Sequence, residues 1–217
     1  MVRPDREPRL GVVVEHAELN LFTMDPSRLG ESVSYIETRL RPVVESQPGN
    51  LGLSLHKNPQ LGVAVLEAFW VSADAMRAGE QTVAPSRDEA VRRADGTLTV
   101  ERYAVPVFER EGPVRADAGV RLTRMDVEPT AVDDAVEVFG DTAVPWLAES
   151  EGCRCLLYLV DPQSGHTISE TIWKDTEAMA GSRSAAAAAR AEAVASAGCV
   201  VRGVEEYTVA FSSARKA

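Results

Sequence analysis

The apolar and polar positions of this chain run through the same succession of patterns twice. LGVVVEHAELNLF (10–22) and GVRLTRMDV (119–127) are apolar and partly alternating, and each predicts a strand. Asp25-Pro26 and Glu128-Pro129 come next, with proline at the first helical position, where its missing N–H does no harm. Apolar residues then recur at Leu29, Val33, Ile36, Leu40 and Val43/Val44, and again at Val132, Val136, Phe139, Ala143 and Trp146/Leu147. Steps of three and four mark one face of a helix. Pro42 and Pro145 are expected to kink or end these helices near their last turn.

Two apolar runs follow in each half: LGLSLHK before LGVAVLEAFWV, and CRCLLYLV before HTISETIW. Between them stand NPQLG and DPQSG, so each pair reads as a hairpin. Ser72 and Asp175 sit where an N-cap belongs, with Asp74 and Glu177 in the first turn of a second helix, which is Ala-rich in the second half. TLTVERYAVPVF and CVVRGVEEYTVAF supply a last strand. The order is β-α-β-β-α-β, twice, which is the split βαβ, ferredoxin-like unit.

The duplication is visible residue by residue. Glu67, Trp70, Ala75 and Met76 reappear as Glu170, Trp173, Ala178 and Met179, each 103 positions on. Pro26, Pro42 and Gly49 match Pro129, Pro145 and Gly152, and RDEAV (87–91) matches RAEAV (190–194). After one inserted residue, Glu101, Tyr103 and Val105 match Glu205, Tyr207 and Val209. The period is too long for a solenoid. Residues 10–108 form the first expected repeat, 119–212 the second, and EREGPVRADA (109–118) the linker. The expected fold class is α+β: a four-stranded sheet has helices on one face only, so the two antiparallel sheets cover each other's bare faces in one barrel.

Composition narrows the function. Of 217 residues 45% are apolar, enough for a sizeable core, and the formal net charge is −10. Scattered acidic residues without clustered Lys or Arg argue against a nucleic-acid partner. The N-terminus lacks the apolar core of a signal peptide, and no run approaches the ~20 apolar residues of a membrane span. Cys153, Cys155 and Cys199 form no Cys-x-x-Cys pair and are expected to be reduced. A soluble, cytoplasmic protein is expected, either a monomeric pseudo-dimer or a homodimer.

Pro-Gly or Glu-Gly after the first helix, EAFWVSADAM and ETIWKDTEAM on the third strand, and about 100 residues per unit resemble a known family. The chain looks like a tandem, fused form of the dimeric α+β barrel proteins of the antibiotic biosynthesis monooxygenase type. The resemblance implies a cofactor-independent monooxygenase acting on a small aromatic, polyketide-like molecule that itself supplies electrons to oxygen. Trp70 and Trp173 occupy the family's site position. Haem degraders of the family add a first-strand Asn, which Asn20 matches, and a second-helix His, which Glu80 and Arg183 replace. The polar amide that quinone-forming oxygenases carry before the Trp is Leu66 or Ser169 here. A non-catalytic ligand-binding or stress-associated module, or a non-oxidative cyclase or isomerase, is the alternative. No cofactor is expected.

Several side chains carry two readings. Trp70 and Trp173 stack a ligand or pack between sheet and helix. Glu67 and Glu170 interrupt apolar strands; each is a base with a raised pKa, half of an ion pair with an Arg across the barrel seam, or solvated. Arg87 and Arg190 hold a phenolate or carboxylate, or pair with Glu89 and Glu192. Tyr103 and Tyr207 donate to a ligand oxygen or pack in the core. His16, His56 and His166 do not repeat and are expected at the surface or at strand edges; no metal-ligand cluster is legible. On the Trp-bearing strand face the first half has Ala64, Leu66 and Ala68 where the second has Thr167, Ser169 and Thr171. Polar chemistry is therefore expected in the second half, with Trp173, Thr171, Ser169 and Arg190 around the pocket.

Overall fold

The computed structural model describes residues 14–214, so residues 10–13 of the expected first strand lie outside it. The first half contains β1 (His16–Thr23), a 3-10 turn (Pro26–Arg28), α1 (Leu29–Tyr35), a π-helical segment (Ile36–Leu40), α2 (Arg41–Glu45), β2 (Asn50–Asn58), β3 (Val63–Trp70), α3 (Ala73–Ala94) and β4 (Thr97–Arg110). The second contains β5 (Gly119–Asp126), a 3-10 turn (Pro129–Ala131), α4 (Val132–Glu149), β6 (Cys153–Val160), β7 (His166–Trp173), α5 (Thr176–Gly181), α6 (Arg183–Ala197) and β8 (Val200–Ser212).

Local chemistry explains the element ends. The carboxylate of Asp25 accepts from the Ser27 N–H at 2.8 Å, opening the first 3-10 turn. Ser72 Oγ accepts from the Ala75 N–H at 3.1 Å and Asp175 Oδ1 from the Ala178 N–H at 2.7 Å, so both expected N-caps form. Pro42 has no N–H to close a helical bond, and the helix widens into the π segment just before it. Helix α4 has no such widening and ends one turn after Pro145, at Glu149, as the first-half helix ends at Glu45 soon after Pro42. The Ala-rich helix breaks at Ser182, whose hydroxyl donates to the Met179 carbonyl at 2.7 Å, an alternative to helical bonding.

The eight strands close into one barrel in the order β1-β3-β2-β8-β5-β7-β6-β4, with β4 returning to β1. Closure depends on the two long last strands. β4 pairs with β1 over Thr97–Ala104 and with β6 over Ala104–Arg110. β8 pairs with β5 through Val200–Thr208 and with β2 through Thr208–Ser212. Glu109 and Arg110, expected in the linker, are therefore strand residues opposite Leu156 and Cys155: pairing with the other half overrides their charge.

Alternation assigns the two faces of each strand. Leu19, Val65, Phe69, Val120, Leu122, Leu157, Ile168 and Val209 fill the barrel. Outside it, Phe22, Leu66 and Trp70 pack under Ile36, Leu40, Met76 and Val83 in the first half. In the second half Met125 and Tyr158 meet Val132 and Ala135, and Leu156 and Trp173 meet Met179. Each large side chain buried this way contributes about 1.5–3 kcal/mol. Cys153, Cys155 and Cys199 are free and buried.

The hairpin turns need glycine. Gly165 has φ +76°, and a Cβ there would lie 2.0 Å from the Val127 carbonyl oxygen. Gly165→Ala is expected to destabilise the protein by at least about 2 kcal/mol. Gly140, in the middle of α4 with nothing within 4 Å of a built Cβ, is the counter-case. Gly140→Ala is expected to stabilise by about 0.5–1 kcal/mol. Denaturant midpoints of the two variants check both signs.

Candidate functional site

A cavity of about 170 Å³ lies in the second half between the outer face of β5, β6 and β7 and helices α4 and α6. Its wall is largely apolar, with Met125, Phe139, Trp146 and Leu156, and its small side comes from Ala143, Ala186 and Ala189. Polar atoms enter from Thr123, Ser169 and Thr171 on the strands, and from Arg121 and Arg190. Period-two alternation puts the hydroxyls of β7 on one face, and the i, i+4 spacing of Ala186 and Arg190 aims both down from the helix.

The first half fills the same space. At the repeat positions of Ser169, Thr171, Ala143 and Ala186 it carries Leu66, Ala68, Leu40 and Val83. Leu40, Leu66, Ala68 and Val83 are all buried in one cluster beneath α3. Three of the four exchanges are large-to-small on going to the second half, and their missing side-chain volume is what opens the cavity.

Charge differs as sharply. In the first half Arg87 donates to Glu18 at 3.2 Å and to Asn20 Oδ1 at 3.3 Å, and pairs with Glu80. Arg102 donates to Glu18 at 2.9 Å and to Glu80 at 3.1 Å. Two guanidiniums thus meet two carboxylates. Three of these four positions change sign in the second half: Glu18 becomes Arg121, Glu80 becomes Arg183 and Arg102 becomes Glu206. Arg121 donates to Glu206 at 2.9 Å, to Ser182 at 2.8 Å and to the Met179 carbonyl at 2.7 Å, while Arg183 reaches Glu206 at 2.5 Å. Arg190, the counterpart of Arg87, kept its sign and has no hydrogen bond or ion pair among the described residues. Burial, followed by the neighbouring Arg121, pushes its pKa down. Arg121, Arg183 and Arg190 stand around Glu206, and the cavity wall adds only the exposed Glu192, leaving one positive charge uncompensated.

The remaining sequence candidates lie elsewhere. Trp70 and Trp173 are each 2% exposed and pack under helices. The Trp70 ring lies against Gly79, and Trp173 Nε1 donates to Thr171 Oγ1 at 3.1 Å. Trp146, absent from the expected site, stands edge-on to Trp173 with ring centres 5.8 Å apart, and it is the indole that lines the cavity. Thr167 is buried and donates to the Met125 carbonyl at 3.4 Å. Asn20 and Arg87 belong to the closed ion network of the first half; Glu89 pairs instead with Arg92 and Arg93. Tyr103 and Tyr207 point into the barrel and donate to Glu101 at 3.2 Å and Glu205 at 2.7 Å; burial raises both phenols. Those two carboxylates also accept from Arg124, at 2.8 Å each.

Glu67 and Glu170 face the barrel interior, on the opposite face of β3 and β7 from the helices, and both are fully buried. Glu170 therefore cannot touch a ligand in the cavity, and a cyclase or isomerase using it as base has no support. Among the described residues neither carboxylate pairs with an Arg across the seam. They meet each other and His56, which is also fully buried rather than at a surface or edge. Burial pushes both carboxyls well above the usual range, and it pulls the His56 imidazole down to about 3. This group comes from three strands and two halves, so no spacing in the sequence reveals it.

No family model matches the chain. The uncharacterized protein Rv2558 of Mycobacterium tuberculosis is 26% identical over 203 residues, 93% of this chain and 86% of its own. Rv2557 of the same organism is 26% identical over 166 residues, 76% of this chain and 74% of its own. Among solved structures, an anthrone oxidase-like protein superposes with a TM-score of 0.69 at 19% identity, covering 92% of this chain and 93% of that one. A candidate monooxygenase from Fusobacterium nucleatum gives 0.69 at 14% identity over 92% and 94%, and one from Lactobacillus acidophilus 0.66 at 12% over 92% and 94%. The chain has the dimeric α+β barrel fold of these monooxygenase-like proteins, with both units in one polypeptide.

The two repeated arginines are expected to behave oppositely. Arg87→Met leaves the buried Glu18 with only Arg102 and Asn20 as partners and is expected to cost about 1–3 kcal/mol. Arg190→Met removes an uncompensated cation and is expected to leave stability unchanged or raise it by up to about 1 kcal/mol. Urea unfolding of both variants at pH 7 measures the difference.

Proposed function

We propose that the second-half cavity binds a flat aromatic small molecule as its anion and oxidises it with dioxygen, without a bound cofactor. The observation that carries this reading is the sign reversal around Arg190, which leaves the cavity with more guanidinium than carboxylate. Arg190 and Arg121 would hold a phenolate or enolate, and Ser169 and Thr171 hydroxyls would meet further ring oxygens. Trp146 and Phe139 supply aromatic surface. The likeness of the fold to an anthrone oxidase-like protein supports the substrate class.

The chemistry asks little of the protein beyond stabilising that anion. Guanidiniums lower the pKa of a bound phenol or anthrone, so its proton leaves to solvent. The carbanion gives electrons to O2, a C–O bond forms as a hydroperoxide, and loss of water leaves a carbonyl. One methylene and one O2 become one carbonyl and one H2O, with the substrate as the only reductant. A second reading, binding without turnover, is favoured by a cavity wall that among the described residues holds no histidine and a single carboxylate, the exposed Glu192.

1,8-Dihydroxyanthrone is the probe. It is expected to quench indole fluorescence saturably, and an oxygen electrode is expected to read one O2 per anthrone with no flavin, nicotinamide or metal salt added. Arg190→Gln and Ser169→Leu are each expected to weaken binding at least about tenfold, a loss of 1.4 kcal/mol. Saturable quenching without oxygen uptake leaves only the binding reading; no quenching sinks both.

A further inference from the structure

The group inside the barrel is independent of the cavity and has no part in the reaction above. His56 from β2, Glu67 from β3 and Glu170 from β7 each bring one donor atom to a point where all three lie within 4.8 Å of one another. His56 Nε2 stands 4.0 Å from Glu67 Oε2 and 3.9 Å from Glu170 Oε1. All three side chains have no exposure, and apart from each other the two carboxyls have no hydrogen-bond donor among the described residues. An apolar core of Val65, Leu157 and Ile168 surrounds strands that would otherwise have no use for two carboxyls and an imidazole.

We infer that the barrel interior is a binding site for one divalent first-row transition-metal ion, ligated by His56 Nε2 and one oxygen each of Glu67 and Glu170. Donors about 2.0–2.2 Å from a common ion stand roughly 3.3–3.7 Å apart, so the two contacts of His56 Nε2 need a closure of a few tenths of an ångström, and the two carboxyl oxygens, within 4.8 Å of each other, one of up to about an ångström. Turning the carboxyl ends supplies it. The charges close as well: two carboxylates and a neutral imidazole cancel a dication, the forms that metal ligation requires. Imidazole with two carboxylates suits zinc, iron(II) or manganese(II). Ligation uses the Nε2 lone pair, so Ser54 Oγ, 2.9 Å from Nε2, gives up its contact there when the ion binds.

The arrangement follows from the duplication. Glu67 and Glu170 are the same repeat position, so folding two copies into one barrel brings two equal carboxyls together. His56 is the unique addition; its counterpart in the second half is Leu159. The ion would bind His56 and Glu67 of one half to Glu170 of the other, a tie across the barrel that is sealed from solvent. Its role is structural, with capture during folding.

The test is the metal content of the full chain, produced in medium supplemented with zinc, iron and manganese, without a histidine tag, and dialysed. Mass spectrometry is expected to find about one ion per chain in the wild type and less than about a tenth in His56→Leu. That variant places at position 56 the residue the second half already accommodates. Unfolding in guanidinium with EDTA, then refolding with or without each of Zn2+, Fe2+ and Mn2+, is expected to raise the wild-type Tm with one of them and leave His56→Leu unmoved. Glu67→Gln/Glu170→Gln is expected to match His56→Leu in metal content; if it fails to fold, His56→Leu alone decides. The inference is overturned by a wild type with under a tenth of an ion and no Tm response. It is equally overturned by equal metal content in wild type and His56→Leu.

Discussion

The structure depends on two strands that are too long for their own sheets. β4 and β8 each start in one half and finish hydrogen-bonded to the other, at β6 and β2. An isolated four-stranded unit would leave one sheet face bare and two edges open; the crossing removes both liabilities at once. Everything else follows from that closure. The inward faces become a sealed core, the helices are forced outward, and a helix-to-sheet layer exists twice, once per half.

Two equivalent layers need not do the same work. Under α3 the space is occupied by Leu40, Leu66 and Val83, and the charges at its rim are neutralised as two arginines and two carboxylates. Under α6 smaller side chains leave a cavity, and the reversed signs at Arg121, Arg183 and Glu206 leave Arg190 without an ion pair among the described residues. A half-buried cation without a counter-ion costs stability unless a ligand provides one. The first half thus reads as scaffold and the second as site, a division open to a fused chain but closed to a symmetric homodimer.

The same duplication creates tension in the core. Equal carboxyls at Glu67 and Glu170 meet in an apolar interior, where two ionised groups cannot coexist unaided. Farther along the barrel the problem recurs and is solved within the chain: Arg124 stands between Glu101 and Glu205, with Tyr103 and Tyr207 donating from either side. Beside Glu67 and Glu170 stands His56, whose Nε2 lies about equally far from both carboxyls. Copies of one sequence brought together must break their symmetry wherever they carry charge, and Arg124 and His56 are where this chain does so.

Much of this was legible from residue order. Period-two and period-3.6 patterns, the caps at Ser72 and Asp175, the turns ending in Gly62 and Gly165, and the 103-residue offset are local or pairwise signals, and they determine the repeated unit and its α+β class. They also mark Ser169 and Thr171, opposite Leu66 and Ala68, as positions where the halves differ. The offset even carries the sign changes at Arg121 and Arg183, although their meaning needs a shared location. Tertiary structure alone decided that Trp173 packs behind Trp146, that Glu109 and Arg110 are strand, and that His56 meets two glutamates. Each of these depends on which strands become neighbours across the two halves. Periodicity fixes the face a side chain takes, but only the closed barrel fixes what stands opposite it.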